Sequence, residues 1–137
     1  MNYYLAKIDP ETYSIDHLEK ENETIWDGVR NPTARLVIKS MQIGDKVFIY
    51  HSGKEKSVVG LMEIIGNPFD DPNDSKSSVI KVKFLQKFSE DKSITLKEIK
   101  ETNKFNDWQL ITISRLSVMN CPIEFVKYFE KRNSIKL

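Results

Sequence analysis

The chain has 137 residues, 39% hydrophobic and 30% charged, with 21 Lys and Arg against 20 Asp and Glu for a net charge of +1. That length suits one domain over residues 1–137, and the composition is that of a soluble globule rather than a disordered or fibrous chain. Apolar runs such as Val47–Tyr50 fall far short of the ~20 residues of a membrane span, one cysteine, Cys121, excludes an internal disulfide and a cysteine zinc cluster, and the balanced charge argues against a bulk coat for nucleic acid.

Tyr3 to Lys7 reads as a short strand closed by Asp9-Pro10. Ser14 is a helix N-cap, with Ile15 and Leu18 on one apolar stripe as far as Glu21. Trp26 to Asn31 is expected to be a loop between two helices. Asn31-Pro32 opens the second helix, whose Ala34, Val37, Ile38 and Met41 have helical spacing and whose end is marked by Gly44.

Asp45 to His51 is a strand with Val47 and Ile49 on one face and Phe48 and Tyr50 on the other. Ser52-Gly53-Lys54 turns it, and Ser57 to Ile65 runs back as its partner. Gly60 weakens that partner strand and signals a bulge or a close approach. Asn67 to Ser77, with two prolines, is expected to be a loop. Val79 to Phe88 is a strand with one wet face, set by Lys81 and Lys83. Thr95-Leu96-Lys97-Glu98 is a capping box that opens a short helix containing Ile99. Phe105 to Leu110 has no clear assignment, Ser114 to Met119 includes a short strand, and Pro122 opens a last helix carrying Val126 and Phe129. About five short strands with three or four helices lack regular βαβα alternation. The expected class is α+β with a small mixed sheet or barrel.

Trp26-Asp27-Gly28-Val29-Arg30-Asn31 is the stretch that stands out chemically. A tryptophan and an arginine beside a helix start suit stacking on a ring and holding an anion. The bland alternative is a buried Trp26 anchoring a loop, with Arg30 paired to Asp27. His51 ends a strand, as a structural hydrogen-bonder or as a base; His17 sits among Asp16 and Glu19, expected exposed. Two isolated histidines provide no metal-ligand set. Ser117 with His51 and an Asp forms a triad only by inventory, since no nucleophile elbow is present. Cys121 is either a small buried hydrophobe or, beside a helix start, a thiolate.

These segments, taken in order, resemble the EVE domain family of the PUA-like superfamily. The matching residues are Tyr4-Leu5-Ala6-Lys7 with Pro10, Tyr13-Ser14-Ile15-Asp16, Trp26 to Asn31 with Ala34-Arg35, Gly44-Asp45 and Phe48-Ile49-Tyr50-His51-Ser52. They continue through Val59-Gly60 with Glu63, Asp71-Pro72 and Thr95-Leu96 to Ser114-Arg115-Leu116-Ser117-Val118. The resemblance implies a PUA-like pseudo-barrel of about five strands with surrounding helices. It implies a non-catalytic module that recognises a modified nucleobase in DNA or RNA by flipping it into an aromatic-walled pocket, with no cofactor.

Carried over, Trp26 is the stacking wall. Gly28, Val29, Arg30, Asn31, Tyr50, His51, Ser52, Arg115, Leu116 and Ser117 line the pocket or its rim, and Lys7, Arg35, Lys54, Lys81 and Lys83 are candidate contacts to the nucleic-acid backbone. There are departures. Ile8-Asp9 replaces the usual Ser-Glu of the first motif, and Gly53 stands where Asn is common. Lys76-Ser77-Ser78-Val79 lacks a tryptophan that many members carry, which leaves Trp108 as the candidate second wall. The alternatives are an ASCH-type hydrolase acting on a modified nucleoside, whose Gly-x-Lys-x-x-Glu pattern is absent, and a module for a small metabolite or protein. The expected location is cytoplasmic, or nuclear in a eukaryote, and not secreted. Residues 1–77 carry 9 Lys/Arg and 13 Asp/Glu, a net of −4, and residues 78–137 carry 12 and 7, a net of +5. The nucleic-acid track is therefore expected along Lys81, Lys83, Lys87 and Arg115.

Overall fold

A computed structural model describes residues 1–137. In chain order the elements are β1 (Tyr3–Ile8), α1 (Ile15–Glu21), β2 (Glu23–Val29), α2 (Pro32–Ser40), β3 (Lys46–His51), β4 (Ser57–Ile64), β5 (Phe69–Asp71) and β6 (Asp74–Lys87). They continue with β7 (Ile94–Thr95), α3 (Leu96–Glu101), α4 (Gln109–Thr112), β8 (Val118–Asn120) and α5 (Ile123–Asn133). One mixed, curled sheet runs β2-β6-β4-β3-β1-β8, with β5 on β6 and β7 on β4. Only β1 and β3 are parallel, with Tyr3 opposite Lys46 and Ile8 opposite His51. The result is an α+β curled half-barrel with five helices.

Both faces of the centre are covered. On β3, Val47, Phe48 and Ile49 are all 0% exposed. Phe48 meets Phe125 and Phe129 of α5 at ring distances of 5.4 and 5.5 Å. The opposite face packs under α2, through Ala34 and Ile38. Burying such side chains is worth about 1.5–3 kcal/mol each, the main force closing the two helical layers. β1 follows suit, with Tyr4, Leu5 and Ala6 all buried.

Three expectations about local structure are corrected. Glu23–Val29 is an edge strand paired antiparallel with β6, so Trp26 does not sit in a loop between helices. Its alternation is broken at Asp27-Gly28, which is why the sequence does not read as a strand. Between the pairs Trp26–Ile80 and Val29–Ser78, β2 holds one residue more than β6, and Gly28 takes the left-handed φ of +75° that this bulge requires. Next, the stretch from Asn67 to Ser77 contains β5 and the first part of a fourteen-residue β6. Its Asp and Asn residues cap their own turns, Asn73 N–H to Asp71 and Lys76 N–H to Asp74, so turn-type residues fall inside a hairpin. The count of strands is eight rather than about five, because β2 is disguised by its bulge, β5 lies in the expected loop and β7 is too short to show a period.

The helix signals hold. Ser14 caps α1 in a capping box closed by the His17 ring, and Asn31 Oδ1 accepts from the N–H groups of Thr33 and Ala34. Thr95 caps α3 through Glu98 N–H at 3.0 Å. The Glu98 carboxylate does not complete that box. It instead takes a two-pronged ion pair from Arg132 of α5 and a hydrogen bond from the Tyr128 hydroxyl, all at 2.7–2.8 Å. The unassigned Phe105–Leu110 segment is core: Trp108 is 7% exposed, tilts against Phe125 at 4.9 Å and donates its indole N–H to Asn120. Cys121 is a buried free thiol whose ionisation burial pushes well up. No helix is long and apolar enough to cross a membrane.

Gly60 is explained by a close approach. A Cβ built there lies 2.5 Å from Ile15 Cδ1 and 2.8 Å from the Gln86 carbonyl oxygen. Gly60→Ala is expected to cost about 1–3 kcal/mol through overpacking, read as a lower urea midpoint with an unchanged slope. The Arg132 guanidinium holds the Glu98 carboxyl below its ordinary range. Because the folded value is the lower one, the pair stabilises at neutral pH and that contribution is lost as pH falls through the carboxylate range. Glu98→Gln is therefore expected to be less stable than the parent at neutral pH, with the difference shrinking in urea titrations below pH about 4.

Candidate functional site

Where the parallel strands β1 and β3 end, the sheet stops and side chains become accessible. A cleft of about 580 Å³ opens between the end of β1, the segment leading into α1, and the bulged edge strand β2. Trp26 forms its inner wall. The same indole also lines a small, wholly apolar void of about 10 Å³ with Ala6, Ile38 and Met62, so one part of the ring is packed and another is accessible. The bulge at Asp27-Gly28 sets this orientation, as bulges at sheet edges commonly do.

Tyr13 is the second aromatic of the cleft. Its ring stands edge-on to Trp26 at 6.2 Å and 88°, and stacks on His17 at 5.4 Å. Its hydroxyl donates to Glu21 at 2.5 Å. Burial and the Glu21 carboxylate push the phenol far above its usual range, so it stays neutral and fixed. Trp108, by contrast, is a core residue and does not supply a second wall. In the sequence Tyr13 belongs to the Tyr-Ser-Ile-Asp motif, where its place just before a helix cap hides any sign of a cleft.

Lys7, Trp26, Gly28, Val29 and Ser117 line this one cleft. The Lys7 ammonium donates to the Ser114 carbonyl at 2.9 Å and lies 5.7 Å from the Tyr50 ring centre, and burial lowers its pKa. Tyr50 itself is 3% exposed, with burial raising its phenol to about 12. Alongside these come residues that carry no site signal in the sequence: Asp9, Thr12, Glu21, Thr24 and Ile25, with Asp27 expected only as a partner for Arg30. Asp9, Glu21 and Asp27 outnumber Lys7, so the cleft is rich in hydrogen-bond acceptors. Asp27 makes no ion pair, and Arg30 is bound to Asp74 at 3.2 Å instead.

The other expected pocket residues are spent elsewhere. Asn31 is consumed as the cap of α2. His51 is 5% exposed; its Nε2 accepts the Ile15 N–H at 3.1 Å and its Nδ1 lies 3.2 Å from Glu55. An Nε2 that accepts carries no proton, so the neutral ring presents Nδ1–H to Glu55, and His51 is a structural anchor for α1 rather than a cleft wall. Ser52 uses both its N–H and its hydroxyl on the Ile8 carbonyl, at 2.8 and 3.0 Å. Leu116 is 2% exposed core, and Arg115 is exposed beyond the cleft lining.

Of the candidate backbone contacts, Arg35 is held by Ser78, Asp70 and the Ser75 carbonyl, and Lys81 lies 3.9 Å from Glu23. Lys87 is bound to Asp16 at 2.6 Å. Only Lys83, Lys54 and Arg115 are exposed and free of ion pairs, and they do not form one strip. Two residues of the track expected along Lys81, Lys83, Lys87 and Arg115, Lys81 and Lys87, thus have carboxylate neighbours on β2 and α1. No group of His, Cys, Asp and Glu has the arrangement of a metal site.

Comparison with known proteins sets this site in a family. The EVE domain family model matches residues 2–132. Mouse thymocyte nuclear protein 1 is 31% identical over 153 aligned positions, which span 85% of this chain and 67% of the mouse protein. Protein Rpa0253 of Rhodopseudomonas palustris superposes with a TM-score of 0.88 at 32% identity, over 98% of this chain and 94% of that one. The human THYN1 protein in complex with 5-methylcytosine-containing DNA superposes with a TM-score of 0.83 at 26% identity, over 96% and 98% of the two chains. With a family model spanning nearly every residue and a matching half-barrel, this chain is a member of the EVE domain family.

Proposed function

We propose that residues 1–137 act as one non-catalytic DNA-binding module that takes a modified cytosine, drawn out of the duplex, into the cleft walled by Trp26 and Tyr13. The observation that carries this reading is the half-accessible Trp26 indole, braced from behind by core and held edge-on to Tyr13 at an open strand end. The superposition on the human THYN1 protein bound to 5-methylcytosine-containing DNA supports it independently.

The chemistry of the cleft suits that ligand. A base drawn from the stack costs a few kcal/mol, which stacking on an indole, at ~1–3 kcal/mol, and hydrogen bonds to its edge must offset. Cytosine presents an amino donor, for which Asp27 is a free acceptor, and a carbonyl acceptor, for which Lys7 and the Ser117 hydroxyl are donors. A methyl group at C5 needs an apolar contact, available from Ile8 and Val29. His51 is locked onto α1 and lies outside the cleft lining, so it supplies no base there. A DNA reader works where chromosomal DNA is, in the nucleus of a eukaryote or the cytoplasm of a prokaryote.

Trp26→Leu keeps an apolar group against the void while deleting the stacking surface. Its affinity for a duplex with one 5-methylcytosine is expected to fall about 5- to 150-fold, the equivalent of ~1–3 kcal/mol of stacking, and its preference over the unmodified duplex to vanish. Fluorescence anisotropy measures both, with thermal melting to verify the fold. A variant that melts like the parent and keeps full affinity and preference removes Trp26 from the site.

A further inference from the structure

Four lysines that no ion pair neutralises converge in one depression at the end of the sheet where the cleft opens. Lys54 and Lys56 come from the β3–β4 turn and Lys97 and Lys100 from α3, around a hollow of about 880 Å³. All four are exposed. Two carboxylates, Glu55 and Glu101, share the hollow without forming an ion pair to any of the four lysines, which leaves it a net charge of +2 (four cations less two anions). Elsewhere Arg30, Arg35, Lys81, Lys87 and Arg132 are each paired with a carboxylate, so this hollow gathers cationic charge that the fold leaves unused.

The turn that bears the lysines is also tied in place on both sides. Ser52 binds the Ile8 carbonyl, and Ile8 lines the Trp26 cleft. Lys56 takes an unusual φ of +44° for a non-glycine, and its carbonyl accepts the Leu96 N–H at 2.7 Å, joining the turn to α3. Positive φ at a side-chain-bearing residue persists only where the surroundings impose it. The backbone positions that carry the lysines are therefore fixed relative to one another beside the cleft.

We infer that this hollow is the track for the phosphodiester backbone of the bound DNA. This rests on the reading that a base enters the Trp26 cleft. The DNA runs from the cleft over the Ser52–Lys56 turn to α3, and Lys54, Lys56, Lys97 and Lys100 neutralise its phosphates. The four contribute affinity and its salt dependence without reading the modification, as phosphate contacts do.

The test compares the full chain with the double variants Lys97→Gln/Lys100→Gln and Lys54→Gln/Lys56→Gln, with Lys127→Gln/Lys131→Gln on exposed positions of α5 as the control. Each is titrated by anisotropy, across about 50–200 mM salt, with a duplex carrying one 5-methylcytosine and with its unmodified twin. In each hollow variant the slope of log affinity against log salt is expected to flatten by about 1.8, roughly 0.9 for each phosphate that is no longer neutralised. Affinity falls by the same factor for both duplexes, so the preference for the modified one is unchanged, and the control keeps the parental slope. Parental slopes in both hollow variants, or an equal change in the control, overturn the track while leaving the base reading intact. A parent that binds neither duplex overturns both.

Discussion

Burial of β3 on both faces is the constraint from which the rest of the architecture follows. A strand whose Val47, Phe48 and Ile49 are all sealed from water needs an apolar layer above and below it. The aromatic group of Phe125, Phe129 and Phe88 supplies one layer, and α2, through Ala34 and Ile38, supplies the other. Once both faces are occupied, only the strand ends remain for a ligand. The parallel pairing of β1 with β3 brings two strand ends to the same edge, where Lys7 and Ile8 meet the turn after His51.

Trp26 couples that core to the cleft. Its indole closes an apolar void on one side and walls the opening on the other, so its stacking surface has little freedom to tilt. Such preorganisation reduces the ordering cost of binding a ring. The extra residue at Asp27-Gly28 permits this, because a regular strand would carry its alternation straight past the opening. Around the ring the lining is polar and acceptor-rich, whereas the unpaired lysines lie a turn away. Acceptor-rich and lysine-rich surfaces are thereby separated in space, and a net charge of +1 conceals two local fields of opposite sign.

Several of the most recognisable residues perform structural tasks. Asp45, only 4% exposed, accepts from the N–H groups of Asn2 and Gln42, closing the turn between α2 and β3. Asn31 caps a helix, His51 anchors the start of α1 through the Ile15 N–H, and Leu116 fills the core. A contiguous motif such as Trp26 to Asn31 therefore contains both a cleft wall and a helix cap, five residues apart. Each kind follows its own physics: the cap satisfies orphan amides of a helix, and the wall leaves part of an aromatic ring accessible at the strand edge.

What the sequence determined alone were features set by neighbours along the chain. These include the caps Ser14, Asn31 and Thr95, the apolar periods of α2 and β3, the misfit of Gly60 in a strand, and a motif order specific enough to indicate the EVE family. Local rules suffice there because the partner groups lie within a few residues. Other features depend on residues distant in sequence and were decided only by the tertiary structure. Bulged β2 exists because β6 offers it a ladder some fifty positions away, and Tyr13 becomes a cleft wall only once α1 docks beside that strand. Charge behaves likewise: Glu23 and Asp16 lie beside Lys81 and Lys87, while four lysines from a turn and a helix forty positions apart are gathered without ion-pair partners. The count of +1 was legible from composition; which cations remain free to meet a ligand is a property of the fold, since Coulomb attraction falls off with distance in space, not along the chain.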